Sequence, residues 1–219
     1  MTDRGLLALA RHEGVVPAPY RDSTGTWTFG IGHTAAAGPP DPAAMASGMP
    51  DDLSAGIREA FRVFRADLAR YEADVERAVT VPLAPHERDA LISFHYNTGG
   101  IARAALTRHL NAGDREAAAQ AFLNWRRPPE IIPRRKAERD LFRSGVYPDG
   151  TIPVWAADAA GRVDWSAPVR RLTSSEALAL LRSEEPPCPP MLEPAPSAAP
   201  ASPAWLDRFV AVVSALFGR

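Results

Sequence analysis

The feature that most constrains the fold is the segment Asp51–Val79, where Ile57, Phe61, Phe64, Leu68, Tyr71, Val75 and Val79 recur at intervals of three and four. Residues at that spacing share one face of an α-helix, whereas a strand would scatter them over both faces. The stretch predicts one long amphipathic helix, capped by Ser54, whose apolar stripe needs a partner along its whole length. Pro39-Pro40-Asp41-Pro42 and Gly48-Met49-Pro50 mark a loop before it, and Pro82 and Pro85 end it and open the next. Asp89–Tyr96, with Ala90, Leu91 and Phe94, is apolar enough for a buried central helix. Asp114 is placed to cap a helix through Leu123, and Pro128-Pro129 breaks the chain before a closing helix.

The N-terminus reads differently. Asp3 is placed to cap a helix from Arg4 to Glu13, with Leu6, Leu7 and Ala10 inward and Gly14 as its stop. Tyr20-Arg21-Asp22 and Thr26–Gly32 are strand-like and joined by Ser23-Thr24-Gly25. In that hairpin Trp27, Phe29 and Ile31 alternate with Thr26, Thr28 and Gly30, so Thr28 points away from the Trp27/Phe29 face. The fold class is α+β: a mainly helical domain with a small N-terminal β-hairpin lobe and a C-terminal extension.

Glu13, Asp22 and Thr28 concentrate chemistry in this lobe. Eight residues separate the first two and five the second pair. Glu13 falls in the last turn of an apolar helix, where the negative helix end and partial desolvation favour a raised pKa. A raised pKa suits a general acid at neutral pH. Asp22, at the turn, is expected to be more exposed and ionised. Cleaving a glycosidic bond needs one group to protonate the leaving oxygen and another to help a water attack the sugar. In isolation Glu13 reads equally well as a charged helix end, and Thr28 as an ordinary strand threonine. His33 lacks partners at metal-ligand spacing and reads as structural. His12, His86, His95 and His109 read as surface or packing residues. Asn97 fits either a structural hydrogen bond or a cleft position.

The ordered motifs together resemble the phage-type lysozymes, the endolysin muramidases of glycoside hydrolase family 24. That family's signature is Glu, eight residues, Asp or Cys, five residues, Thr, followed by Gly-x-Gly-His, here Gly30-Ile31-Gly32-His33. HERDALISFHYNTGG (86–100) is similar to its central helix, LTRHLNAGD (106–114) to its next helix and turn, and FLNWRRPPEIIPRRKAERDLF (122–142) to its closing helices. The resemblance covers residues 1–145. It implies a lysozyme-like fold with a long helix joining two lobes and the cleft between them. It implies a peptidoglycan N-acetylmuramidase with Glu13 as general acid and Asp22 and Thr28 holding the attacking water. Asn97 and Arg135 are carried over as substrate-binding residues, with either Arg134 or Arg135 approaching Glu13. The chain departs from the family's common Gly-Leu before the arginine pair, carrying Ile131-Ile132-Pro133 instead. No cofactor and no metal are implied.

Beyond residue 145 the pattern weakens. Thr151–Trp155 and Gly161–Trp165 read as a short hairpin turning at Ala159-Ala160-Gly161, with Trp155 and Trp165 packing onto the enzyme domain or stacking on sugar. Thr173–Leu181 reads as a short helix capped by Ser174 or Ser175, within an extension over 146–184. Residues 185–203 hold eight of the chain's 22 prolines and read as a linker. Residues 204–219 read as a short amphipathic helix with Trp205, Leu206, Phe209, Val210, Val212, Val213, Leu216 and Phe217 along its stripe. Its partner is open between a membrane interface and a protein surface.

A net charge of −1, from 25 Lys+Arg against 26 Asp+Glu, gives no global attraction to nucleic acid, and none is expected as a partner. The arginine-rich stretch 115–143 is either a solvated helical face or a surface for an anionic wall polymer. One cysteine, Cys188, excludes an intramolecular disulfide. Met1-Thr2-Asp3-Arg4 leads directly into the catalytic helix without a signal-like stretch. The expectation is synthesis in the host cytoplasm, export with a holin-type pore, and action on peptidoglycan in the periplasm. Two other readings stand beside it: a lytic transglycosylase, which needs no counterpart of Asp22 and Thr28, and a non-catalytic wall-binding particle component.

Overall fold

Thr2 opens the fold. Its backbone is extended, and its hydroxyl accepts the Gly5 N–H at 3.0 Å, capping helix α1 (Asp3–Glu13). The expected cap, Asp3, is already helical, and its carboxylate meets Arg65 at 2.5 Å. Thr2 also ties α1 to the central helix, because its N–H and hydroxyl both donate to Asp89. The computed structural model describes residues 1–182, and the expected linker over 185–203 and helix over 204–219 lie outside them.

A three-stranded antiparallel sheet follows, of β1 (Val16–Arg21), β2 (Trp27–Gly30) and β3 (His33–Thr34), in that order. The first strand begins four residues earlier than Tyr20. Pro17 and Pro19 have no N–H to give a ladder, and the register slips between Val16 and Pro19 where they fall. The expected strand Thr26–Gly32 is also shorter. Gly30 (φ +63°) and Gly32 (φ +80°) turn the chain into β3 through conformations that favour glycine.

Helix α2 (Leu53–Ala78) is the predicted long helix, 26 residues and about 39 Å. Its cap is Asp52, which accepts the Ser54 and Ala55 N–H groups at 2.8 and 3.1 Å; Ser54 lies already inside the helix. Ile57, Phe61, Phe64, Leu68 and Val75 are all buried as the periodicity requires. Each such side chain stabilises the fold by roughly 1.5–3 kcal/mol. Helix α3 (Pro85–Thr98) runs through the centre and packs on α1, α2 and the closing helix, so its apolar residues are buried all round. Then come α4 (Ala105–Asn111), α5 (Arg115–Ala121), capped by Asp114 as expected, and α6 (Ile132–Ser144). Phe94 meets Phe122 and Trp125 edge-on at 5.4 and 5.3 Å, locking α3 to the segment before α6.

His33 fastens the sheet to α2. It is 1% exposed, with Nδ1 2.9 Å from Asp67 and Nε2 2.7 Å from the Pro40 carbonyl. Burial opposes its charge, but Asp67 more than offsets this and holds the imidazole above its ordinary value near 6.5. A raised folded-state pKa gives stability that is complete below the unfolded value and is lost as pH rises through the folded one. Relative to His33→Gln, the native chain should therefore be more stable by about 1.5–3 kcal/mol at pH 5.5. That margin should shrink as pH climbs from about 6.5 upward. Urea unfolding of both proteins across pH 5–9 measures it.

The extension is built into the same core. β4 (Ile152–Val154) pairs antiparallel with β5 (Arg170–Leu172), and α7 (Ser174–Arg182) packs against α1 and α2. The expected partner of 151–155 was Gly161–Trp165, but that segment contributes only the bridge Ala157↔Val163. Asp158 and Asp164 turn their carboxylates onto nearby backbone N–H groups, which diverts the chain from a longer ladder. The predicted turn there does form, closed by Gly161 N–H to the Asp158 carbonyl at 2.9 Å. Thr173, rather than Ser174 or Ser175, caps α7 in a reciprocal pair with Glu176. Trp155 is 3% exposed and packs with Val16 and Ala18, while Trp165 meets Trp155 and Tyr20 edge-on. These tryptophans pack onto the domain.

Candidate active site

Helix α1 ends on Glu13 because Gly14 follows, accepting no further helical geometry and returning its N–H to the Ala10 carbonyl at 2.8 Å. The Glu13 side chain keeps 20% of its surface exposed and accepts a hydrogen bond from Arg134 Nη1 at 2.7 Å. Of the two candidate arginines, Arg134 is therefore the one that reaches Glu13. It comes from the first turns of α6, and its guanidinium serves three acceptors. Nε donates to Glu138 Oε1 at 3.0 Å and Nη2 to the Ser93 carbonyl at 3.3 Å, besides the bond to Glu13. Burial opposes the Arg134 charge, but Glu13 and Glu138 outweigh it and hold the guanidinium above its usual value. Ser93 Oγ donates to the same Glu138 oxygen at 2.7 Å. Glu13 thus rests on a buried polar platform joining α3 and α6.

Arg135 lies behind that platform, fully buried, with its guanidinium 5.2 Å from the centre of the Phe94 ring. It donates to Asn97 Oδ1 and approaches Glu138 Oε2 at 2.8 Å in an ion contact outside hydrogen-bond geometry. Burial pushes it down to about 10, against the pull of Glu138. Asn97 is 8% exposed. The two residues carried over as substrate-binding are therefore buried and bonded to each other. His12 precedes Glu13, and burial together with Arg134, Arg135 and Arg11 pushes its imidazole well below the ordinary range, leaving the ring neutral.

The hairpin supplies the other two groups. Asp22 closes it, its N–H donating to the Thr26 carbonyl at 3.0 Å. Its Oδ1 accepts the Thr24 N–H, the Thr24 hydroxyl and the Thr26 N–H at 2.9, 2.7 and 3.0 Å. Those donors fix the direction in which the carboxylate points. Thr28 stands opposite Tyr20 on β1 and Thr34 on β3, so the three side chains share a face of the sheet. It is fully buried and donates to the Thr26 carbonyl at 3.2 Å. The same carbonyl thus holds the Asp22 backbone and the Thr28 hydroxyl. Tyr96 Oη donates to the Ile31 carbonyl at 2.9 Å and ties the β2–β3 turn to α3.

Sequence reasoning missed Ser93 and Glu138. A charged residue three and four positions after two arginines reads as a solvated helical pair; only the fold shows that it is 2% exposed. Among the described residues, no cluster of three or more His, Cys, Asp or Glu is placed to hold a metal.

Glu13 thus stands at a helix end against Arg134, and the short hairpin carrying Asp22 and Thr28 follows it in the chain. Residues 10–138 match the family model Phage lysozyme, more than half of the chain. The endolysin of Salmonella phage P22 is 37% identical over 150 residues, 66% of this chain and 98% of that protein. A crystal structure of a P22 lysozyme mutant superposes with a TM-score of 0.58 at 34% identity, covering 66% of this chain and 98% of its own. The muramidase domain of SpmX from Asticaccaulis excentricus superposes with a TM-score of 0.52 at 26% identity, covering 64% of this chain and 95% of that one. The chain belongs to the phage lysozyme family and is a glycoside hydrolase.

Proposed function

We propose that this chain is an endolysin-type muramidase that hydrolyses the β-1,4 bond from N-acetylmuramic acid to N-acetylglucosamine in peptidoglycan during host-cell lysis. The observation that carries this reading is the placement of Glu13, held at the end of α1 by Arg134 at 2.7 Å, with Asp22 one strand further along the chain and Thr28 on the strand after it. Glu13 delivers its proton to the glycosidic oxygen as the bond to the leaving sugar breaks. Arg134, already in contact, stabilises the carboxylate that remains. Asp22 and Thr28 orient a water for attack on the anomeric carbon, with Asp22 taking its proton. Asn97 and Arg135 serve the substrate through Arg134 and Glu138 rather than by touching it.

Two relatives support the reading by name, an endolysin and a muramidase domain. Among the described residues no helix is long and apolar enough to cross a membrane. Passage through a holin-type pore to the wall is the route that fits this reading.

The test is mass spectrometry of sugar ends after the purified chain digests Gram-negative peptidoglycan. Reducing muramic acid ends, with one oxygen drawn from labelled water, are the expected product. Anhydro ends would make the enzyme a lytic transglycosylase and leave Asp22 and Thr28 without a role. Absence of cleavage by folded protein would favour a wall-binding component.

A further inference from the structure

Strand β1 joins Glu13 to Asp22, and the extension holds it at both ends. Two residues past Glu13, Val15 N–H donates to the Pro153 carbonyl at 3.0 Å, and Trp155 N–H donates to the Val15 carbonyl at 2.8 Å. One residue before Asp22, Arg21 N–H donates to the Gly161 carbonyl at 2.8 Å. Between these points Trp155 packs on Val16 and Ala18, and Trp165 on Tyr20. Since β1 is the outer strand of its sheet, these bonds occupy the edge away from β2.

Gly161 does more than offer a carbonyl. A Cβ on it would stand 2.5 Å from Cζ3 and 2.9 Å from Cη2 of Trp27, and its φ is +77°. Trp27 is the ladder partner of Arg21, whose guanidinium lies 4.3 Å over the indole. Arg21, Trp27 and Gly161 therefore form one packed unit at the mouth of the hairpin that carries Asp22. The turn holding Gly161 is itself fixed, because Asp158 Oδ1 accepts the Ala160 and Arg162 N–H groups, both at 2.9 Å. The family match ends at residue 138, so Pro153, Trp155, Asp158, Gly161 and Trp165 lie beyond it.

We propose that the extension is a positioning element of the active site: by clamping β1 at Val15 and at Arg21 it sets the placement of Asp22 relative to Glu13, and Gly161 is the positioning residue through which it acts. The inference rests on the reading of Glu13 and Asp22 as the acid and the water-handling carboxylate. A displacement of about 1 Å at a reacting group costs on the order of a hundredfold in rate. Gly161 governs the end of the strand that continues directly into Asp22. The competing role is simple cover for an edge strand, which would give stability alone.

The experiment uses the full chain on purified, uncross-linked peptidoglycan strands, at a temperature well below every melting midpoint. Gly161→Ala is expected to lower kcat by about tenfold to a hundredfold, with KM changed by less than about twofold. Adding Trp27→Phe, which removes the ring atoms that the new Cβ meets, is expected to restore part of the lost kcat, the φ of +77° holding back the rest. Leu110→Ala, buried in α4 outside the extension, is expected to lower the melting midpoint while keeping kcat. If Gly161→Ala does not fold, Asp158→Ala, which loosens the turn without adding an atom, carries the same expected loss of kcat. A native kcat in the folded Gly161 or Asp158 variant overturns the proposal. So does an equal loss in the Leu110 variant, or a loss in Gly161→Ala that Trp27→Phe does not relieve at all. Glu13→Gln run alongside separates the two readings: if it stays active, the site assignment fails whatever Gly161 does.

Discussion

Glu13→Gln should give a folded protein that cleaves peptidoglycan between about a hundredfold and ten-thousandfold more slowly. The amide keeps the shape of the carboxyl, and its oxygen can still accept from Arg134 Nη1, now 2.7 Å from Oε1. The platform of Arg134, Ser93 and Glu138 should therefore persist, and with it the join between α3 and α6. What disappears is the transferable proton. Its loss corresponds to about 3–5 kcal/mol of transition-state stabilisation. Initial rates on soluble peptidoglycan, with near-UV circular dichroism to verify the fold, measure this. A native rate in a folded Glu13→Gln protein would move the acid role to another residue. Asp22→Asn differs in expectation, because Asp22 Oδ1 also organises the turn through three donors from Thr24 and Thr26. Its loss combines chemistry with local geometry.

The long helix was legible because seven apolar residues at three- and four-residue intervals leave little choice of structure. The central helix was legible from composition, although Pro85 and Glu87 start it earlier than the apolar run suggests. Asp114 was legible as a cap, but the caps of three other helices were not legible to the residue. Thr2 and Thr173 win over Asp3 and Ser174, and Asp52 over Ser54, by a single step of backbone geometry that neighbouring polar residues mask. The strand pairing of the extension was hidden for another reason. Ile152–Val154 pairs with Arg170–Leu172 across a loop, and Arg170 and Arg171 do not advertise a strand. The Glu13/Asp22/Thr28 spacing was visible because those groups lie on one short hairpin and the helix before it. Of the groups behind Glu13, an arginine at 134 or 135 entered only through the family resemblance, being 121 residues away at Arg134, and Ser93 and Glu138, 45 apart, did not enter at all. A local pattern reports a site whose members are near in sequence; a buried ion network belongs to the tertiary fold.

Removing Arg134 should cost more stability than any other single change at the site. Its guanidinium is 2% exposed and joins Glu13, Glu138 and the Ser93 carbonyl. In Arg134→Met the Glu138 carboxylate, 2% exposed, keeps Ser93 Oγ and the Arg135 contact but loses its bond to Nε. Breaking a buried pair from one side typically costs about 3–5 kcal/mol, because the other charge stays buried. Arg134→Lys should recover little of this. An ammonium is a compact charge and cannot span three acceptors set by a planar fork. Arg134→Met combined with Glu138→Gln should be less stable than Arg134→Met alone, because Glu138 is the carboxylate facing the fully buried Arg135, and the amide leaves that cation without an opposite charge at 2.8 Å. Urea midpoints of the three variants test this ordering. If the double variant were as stable as the single one, the loss would come from packing between α3 and α6 rather than from charge. Activity should follow a different order: both variants with Met at 134 leave Glu13 without the cation that faces its developing charge, so they lose rate alike although they differ in stability.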